Sequence, residues 1–363
     1  MSDAIKLIVN GRIYTGWTSA RISRSIEQAA GSFSLAVSER WAGREAPWPI
    51  GEGDACVVKI GDERVITGWI DKRSPSFDAG SHGVTISGRD TTSDLVDCSA
   101  DLTSQQFAKL GLVDLAEKLC APYDISVIVQ AGLVIEDSPA KRKKKTAANP
   151  GEHAWAVLEQ ACRAAGVLAY SDGSGNLVLS RAGSSRCVVD LAEGVNLLQG
   201  SAEYDVSGRF RTYEVVGQHQ GADDLYGTSA AAVKGSASDP SIRAVRKLVV
   251  KAEHSVTTDS ANKRAAWESA VRAARGDQVN VVVQGWRQKP GMSVWPINAL
   301  VSVRSPVLGV KGDMLVTAVA HEISDSTGTT TAITLRRPDA FRPELTITSE
   351  RVAGYWKELV GGV

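Results

Sequence analysis

Between Gly11 and Asp97 apolar and small polar residues alternate with a period of two, and glycines recur at turn-like spacing. Phe33, Leu35 and Val37 alternate with Ser34, Ala36 and Ser38; Ile22 and Ile26 flank Arg24; Val84 and Ile86 flank Thr85. A period of two sends successive side chains to opposite faces of a sheet, so one face is buried and the other meets water or a partner. Gly11, Gly16, Gly31, Gly51, Gly53, Gly61, Gly68, Gly80, Gly83 and Gly88 punctuate these runs. Many short strands broken by glycine turns point to a barrel or a sandwich. Thr15-Gly16-Trp17 recurs as Thr67-Gly68-Trp69; a three-residue match is explained as well by chance as by a repeat.

After residue 100 the period changes. Leu112, Leu115, Ala116 and Leu119 share one helical face ended by Pro122, and ISVIV (125–129) reads as a strand. Ala154, Leu158, Ala161, Cys162 and Ala165 form a second helical stripe with Gly166 placed to stop it. VLAY, SDGSGN and LVLSR read as a hairpin. Strand character returns at 208–219 and again at 242–253, the polar stretch 220–240 reads as a loop, and a helix over 260–275 is capped by Thr258 or Asp259 and stopped by Gly276. Four strand-like runs follow: VNVVVQGW, ALVSVRS, MLVTAVAHEI and TTTAITLRR. The expected fold is α+β, mainly β: two small β-barrel domains with helix and strand inserts between and within them. The expected division is 1–100 for the first barrel and 101–200 for an α+β insert. Residues 201–220 with 277–342 form the second barrel, 221–276 a helical and loop insert, and 343–363 a C-terminal tail. That tail is too short for a further folded domain to be expected in it.

At 363 residues the chain suits two to four folding units. Its 41 basic and 41 acidic residues cancel, which argues against a dedicated nucleic-acid binder and leaves little global repulsion between copies. Five cysteines, Cys56, Cys98, Cys120, Cys162 and Cys187, are widely spaced and form no CxxC pair. They read as reduced thiols, consistent with folding in a cytoplasm. No apolar run approaches the ~20 residues that cross a bilayer, and the N-terminus does not read as a signal peptide.

No motif for catalysis, metal or cofactor emerges. His321-Glu322 lacks the second histidine of a HExxH site, and Gly51-Glu52-Gly53 lacks the third glycine and helix of a dinucleotide loop. His82 lies in a glycine turn, His153 near a helix start, and His219 and His254 are isolated. Asp223-Asp224 is adjacent in a loop, whereas glycosidase carboxylates face each other across a cleft. The basic run Lys141 to Lys145 has no interleaved aromatics to stack on bases and reads as a solvated loop. Of nine tryptophans, Trp17, Trp69, Trp286 and Trp295 lie at or beside strands and read as core or subunit-contact residues. Trp41 and Trp48, in WAGREAPWPIGEG, fit both an exposed interface and local packing. Val352, Tyr355, Trp356 and Leu359 make one side of an amphipathic tail helix, with Trp356 and Leu359 the expected docking residues.

The order of segments resembles the baseplate hub proteins of Mu-like contractile phages. The resemblance is carried by GRIYTGWTSARISRSIEQAAGSFSL, GWIDKRSPSFDAGSHGVTISGRDTTSDLVDCSA, LAEKLCAPYDISV and GVLAYSDGSGNLVLSRA in the first half. In the second half it is carried by FRTYEVVGQ, GWRQKPGMSVWPINALVSV and GDMLVTAVAHEISDSTGTTTAITLRRPDAF. It implies a structural, non-enzymatic protein: a homotrimer whose chains each supply two like-shaped modules, so that a threefold object mates with a sixfold one. The implied partners are further copies of itself, the tail spike, the tail tube and neighbouring baseplate proteins, with DNA passing through without specific binding and no membrane insertion. The implied place is the virion tail baseplate, assembled in the host cytoplasm. A tail-associated cell-wall hydrolase is the alternative.

Overall fold

The computed structural model of the protein describes residues 3–38, 49–79, 82–100, 110–135, 151–183, 185–217, 233–252, 257–325 and 327–341. The chain divides into two units, Met1–Ala202 with Gln278–Pro338, and Glu203–Asp277 with Asp339–Val363.

The first unit opens on seven strands: β1 (Ile5–Val9), β2 (Arg12–Tyr14), β3 (Ser19–Ser25), β4 (Ser32–Ser38), β5 (Ala55–Ile60), β6 (Glu63–Phe77) and β7 (His82–Asp90). Their hydrogen-bonded order is β3-β4-β7-β6-β5-β1-β2. The alternation seen in the sequence is the burial pattern: Phe33, Leu35 and Val37 are buried on β4 while Ser32 and Ser34 face out. Asn10 and Gly11 both take positive φ (50° and 73°), the backbone of a two-residue hairpin turn. Leu7, Ile22, Leu35, Val58, Ile66 and Ile86 share one core with no exposed surface.

The chain continues through α1 (Ser93–Asp97), α2 (Leu112–Cys120), β8 (Val127–Val129), α3 (Ala154–Ala165), β9 (Leu168–Ser171) and β10 (Leu177–Ser180). β10 lies between β8 and β9, and the stripes Leu112, Leu115, Ala116, Leu119 and Ala154, Leu158, Ala161, Cys162 face each other across a separate core. Gly166 ends α3 at φ 61°. Short strands β11 (Ser185–Arg186) and β12 (Leu191–Ala192) lead to β13 (Leu197–Tyr204).

The second unit comprises β14 (Thr212–Gly217), β15 (Val233–Ser238), β16 (Lys247–Lys251) and α4 (Thr258–Arg275). β14 pairs with β15 and β16. The 208–219 strand therefore does not join the second β-domain, and Val233–Ser238 is strand where a loop was expected. The reason lies in the packing: Tyr213 and Val215 are buried against Ala261 and Ala265 of α4. Gly235 lets that helix approach, because a Cβ there would sit 2.3 Å from the Ala261 carbonyl carbon.

Returning to the first unit, the chain forms β17 (Asp277–Gln284), β18 (Ala299–Ser305), β19 (Val310–Ser324) and β20 (Gly328–Arg336). The expectation of two closed barrels is corrected here. The strands of both halves form one 14-stranded sheet, running β13-β17-β20-β19-β3-β4-β7-β6-β5-β1-β2 with β18, β11 and β12 branching from β19. Neither half closes on itself, and among the described residues β2 and β13 remain edges. The cause is strand length: β19 has 15 residues and β18 only 7, so β19 overruns its hairpin partner and β3 fills the overhang.

The two halves are nevertheless built alike. β5, β6 and β7 have 6, 15 and 9 residues; β18, β19 and β20 have 7, 15 and 9. Each long strand carries one extra residue, Asp71 or Thr317, where the ladder to its nine-residue neighbour shifts register. Just before it, the Ile70 carbonyl accepts from Gly53 N at 2.8 Å and the Val316 carbonyl from Asn298 N at 2.9 Å. Gly53 and Asn298 both hold positive φ, 86° and 57°. β4 flanks β7 as β17 flanks β20, and β3 flanks β4 as β13 flanks β17. The outer neighbours differ: β1 is antiparallel to β5, whereas β11 and β12 are parallel to β18. The Thr-Gly-Trp repeat plays no part, because Thr15–Trp17 precedes β3 in a loop while Thr67–Trp69 lies inside β6.

Candidate functional site

The most built-up feature of the first unit is the seam joining its two meanders. β3 runs antiparallel to Ala318–Ile323 of β19, from Ser25 opposite Ala318 to Ala20 opposite Ile323, and Ile26 N donates to the Thr317 carbonyl at 2.9 Å. Arg21 and Glu322 pair across it. Behind the ladder, the segment between β17 and β18 reaches into the other half: Trp286 and Val294 belong to the core of the first meander. Trp286 Nε1 donates to the Glu322 carbonyl at 2.8 Å. Arg287 spreads its guanidinium over Asp3 (2.8 Å), Glu63 (3.1 Å) and the Ile60 carbonyl (3.2 Å), and Glu63 also accepts from Val294 N at 3.1 Å. The hydrogen bond to Asp3 holds the Arg287 guanidinium above its usual range, so the fork stays charged at any working pH.

His321 is 1% exposed in this seam. Its Nδ1 lies 3.2 Å from Thr331 Oγ1, and that hydroxyl spends its proton on the Gly285 carbonyl at 2.7 Å. Nδ1 must therefore be the protonated ring nitrogen. Burial, reinforced by the nearby Arg24 charge, pushes the His321 pKa down from 6.5 to about 3, so the ring is neutral near pH 7.

A second polar cluster ties the α+β insert to both meanders. Buried Asp90 accepts from Gly31 N at 2.6 Å and from Thr92 Oγ1. Burial raises its pKa against the opposing pull of Thr92, Ser171, Gly31 and Arg24. Arg24 Nη2 donates to the Ser171 carbonyl at 3.1 Å, and Thr91 Oγ1 to the Gly175 carbonyl at 2.6 Å. From the second meander, Asn298 Nδ2 donates to Ser180 Oγ and to the Arg181 carbonyl at 3.0 and 2.9 Å. Satisfied buried networks of this kind rigidify and fix register.

Trp17, Trp286 and Trp295 are buried and Trp69 is partly exposed. His153 stands exposed at the N-cap position of α3 without a side-chain capping hydrogen bond, and His82 stacks on Phe77 at 5.7 Å. Gly51-Glu52-Gly53 leads into β5, with Asp54 accepting from Gly51 N at 2.7 Å. Burial pushes the Cys56 and Cys120 thiols up to about 12 and that of Cys187 to about 11; such thiols are poor nucleophiles. Among the described residues no three His, Cys, Asp or Glu side chains cluster to hold a metal, and no helix is long and apolar enough to cross a membrane. Trp41, Trp48, Trp356, Leu359, Lys141 to Lys145, His219, His254 and Asp223-Asp224 lie outside the described residues. Sequence reasoning missed the outer half of β6, Lys72–Phe77, where Phe77 is 82% exposed, and the exposed edge Leu198–Ser201 of β13. The one available signal was the loss of apolar alternation after Ile70.

Residues 4–90 match the family model of the N-terminal domain of Mu phage GpP-like baseplate assembly proteins. Residues 92–181 match the second domain of gp44-like baseplate hub proteins, and 257–344 the fourth domain of Mu phage GpP. The chain is 34% identical over 352 residues to the baseplate hub protein gp44 of Escherichia phage Mu, covering 94% of this chain and 89% of that protein. It belongs to the Mu-type baseplate hub family. Among solved relatives of this hub family, the 43 kDa tail protein of prophage MuSo2 from Shewanella oneidensis matches with a TM-score of 0.80 and 32% identity, over 94% of this chain and 99% of that one. The tail protein from Neisseria meningitidis MC58 shares the hub fold at a TM-score of 0.76 and 23% identity, over 95% and 99%. A component of the type VI secretion system of E. coli shares the fold more distantly, at a TM-score of 0.53 and 9% identity, over 91% and 76%. The hub's relatives are phage tail and baseplate proteins, which supports a structural role in the baseplate.

Proposed function

We propose that three copies of this chain form the central ring of a contractile-tail baseplate, joining a sixfold tail tube on one side to a threefold spike on the other. The observation that carries this reading is the doubled meander. A threefold ring offers six alike contacts only if each chain carries the contact surface twice, and β4-β7-β6-β5 and β17-β20-β19-β18 are alike in length, bulge and hydrogen-bonded approach. The mechanism needs no bond chemistry. Force crosses the ring through buried area, typically about 2,000 Å² or more in permanent interfaces, and through sheets locked by charged forks such as Arg287 with Asp3 and Glu63. DNA passes through without specific readout, in keeping with the chain's zero net charge. The protein assembles with the tube and neighbouring baseplate proteins in the host cytoplasm and acts in the virion tail.

Trp41 and Trp48 are proposed subunit contacts. They lie in the connection from β4 to β5, and the corresponding connection from β17 to β18 carries Trp286 and Val294, which cross to the core of the other meander. Trp356 and Leu359 are proposed to dock the tail on a neighbouring protein. Light scattering or native mass spectrometry tests the ring: a mass of three times 38.5 kDa is expected, and a monomer at every concentration, with and without spike, refutes it.

A further inference from the structure

One half of β6 looks bare where its counterpart in β19 is covered. Matching Asp71 with Thr317 sets Lys72–Phe77 against Ala318–Ile323. Inside the chain, Ala318–Ile323 is flanked by β20 on one side and β3 on the other. Lys72–Phe77 has β7 on one side. On the other, the backbone ladder of β5 and the residues leading into it ends at Ile70, the Glu52 carboxylate reaches Arg73 at 3.5 Å, and no described strand follows. The consequence shows in exposure. Val319, Ala320 and His321 are buried and Ile323 rests on the first core, whereas Phe77, the counterpart of Ile323, is 82% exposed. The strand equivalent to β3 is β13, which flanks β17 as β3 flanks β4. Its other side is an edge with Leu198–Ser201 exposed, beside Val195 and Val307 at 75% and 82%. A long edge with apolar side chains is a template for another strand.

We propose that β13 of one copy adds antiparallel to Lys72–Phe77 of the next, repeating between chains the seam that β3 and β19 make within each chain. The partner is a second copy of this chain, and the inference rests on the trimeric reading above. The contact is heterologous: edge β13 meets a different edge, β6, so every copy offers one of each and three copies close a ring with none left over. Phe77 then takes the place against the second meander that Ile323 holds against the first. The Ile26–Thr317 hydrogen bond fixes which residues face the neighbour, since facing alternates along an antiparallel ladder. Val319, His321 and Ile323 point their backbone groups at β3, so Arg73, Pro75 and Phe77 point theirs at the uncovered edge. Pro75 has no N–H, which leaves the ladder between copies one donor short of the ladder within each chain. Outward-facing nitrogens of edge strands are where proline is found, and it discourages pairing with any strand not held in place by the rest of a ring.

The test is directed cross-linking in a Cys98→Ser background, the other native cysteines being buried. Phe77→Cys and, separately, Ser76→Cys are combined with each of Leu198→Cys, Gln199→Cys, Ser201→Cys and Ala202→Cys, then oxidised and run without reductant. Dimers and closed covalent trimers are expected from at least one pairing, and none from the single variants. Phe77→Asp, at a position exposed in the single chain, is expected to raise the concentration for half-assembly by about tenfold or more. A trimeric mass with no cross-link in any pairing overturns this junction while leaving the ring intact. Cross-linking of Phe77→Cys alone also overturns it, because it shows two β6 edges meeting. A monomeric mass throughout defeats the ring itself, and the junction with it.

Discussion

Replacing His321 by leucine isolates a proton-linked contribution to stability whose size follows from its burial. In the folded chain the imidazole titrates near 3; unfolded it titrates near its ordinary 6.5. A depressed folded pKa means that the unfolded chain binds the extra proton, so folding is favoured above 6.5 and loses ground as pH falls toward 3. Each pH unit between those values costs about 1.4 kcal/mol. Between pH 7.5 and pH 5 the wild-type chain therefore loses about 2 kcal/mol through this group alone. The His321→Leu variant has no imidazole to protonate and cannot lose it. Urea unfolding of both proteins at the two pH values, read as midpoint at constant slope, gives the difference of differences. Buried Asp90, whose pKa burial raises, contributes with the opposite sign, but equally in both proteins, so it cancels. The same pH loss in wild type and variant, within about 0.5 kcal/mol, refutes the assignment and with it the claim that the seam holds the ring dry and neutral.

Two further outcomes follow from close packing. Gly88→Ala places a Cβ 2.0 Å from the Trp69 carbonyl oxygen and 2.8 Å from the Phe33 ring; overpacking between β6 and β4 is expected to cost about 2 kcal/mol or more in a denaturant titration, and an unchanged midpoint contradicts it. With a disulfide reagent at pH 8, the native protein is expected to leave Cys56, Cys120 and Cys187 unlabelled over minutes and to expose all five thiols in urea. Burial both hides these three and suppresses their thiolates, so rapid native labelling of any of them contradicts that account.

Much of the fold was written locally. Period-two runs gave β4 and β7, the stripe Leu112, Leu115, Ala116, Leu119 gave α2, and Gly166 stopped α3, because each depends on neighbours within a few residues. The strand at 212–217 was also visible, but its partner was not. Pairing it with Val233–Ser238 depends on Gly235 admitting α4, a close approach that no local pattern announces. The candidate site was less legible still. Trp41, Trp48, Trp356 and Leu359 were singled out for their chemistry and lie outside the described residues; of the seam residues, Trp286 was read as core or subunit contact, His321 only as half of an incomplete metal motif, and Arg21 and Arg287 were not singled out.

The amino-acid order alone decided that this chain would be mainly β with helical inserts, since alternation and turn glycines are properties of short stretches. Only the tertiary structure decided that two dissimilar stretches, Glu63–Phe77 and Val310–Ser324, are the same device. Strand length, bulge position and edge pairing are set by contacts across the sheet, where very different side chains satisfy the same backbone geometry. For that reason the doubling is plain in the ladder and silent in the letters.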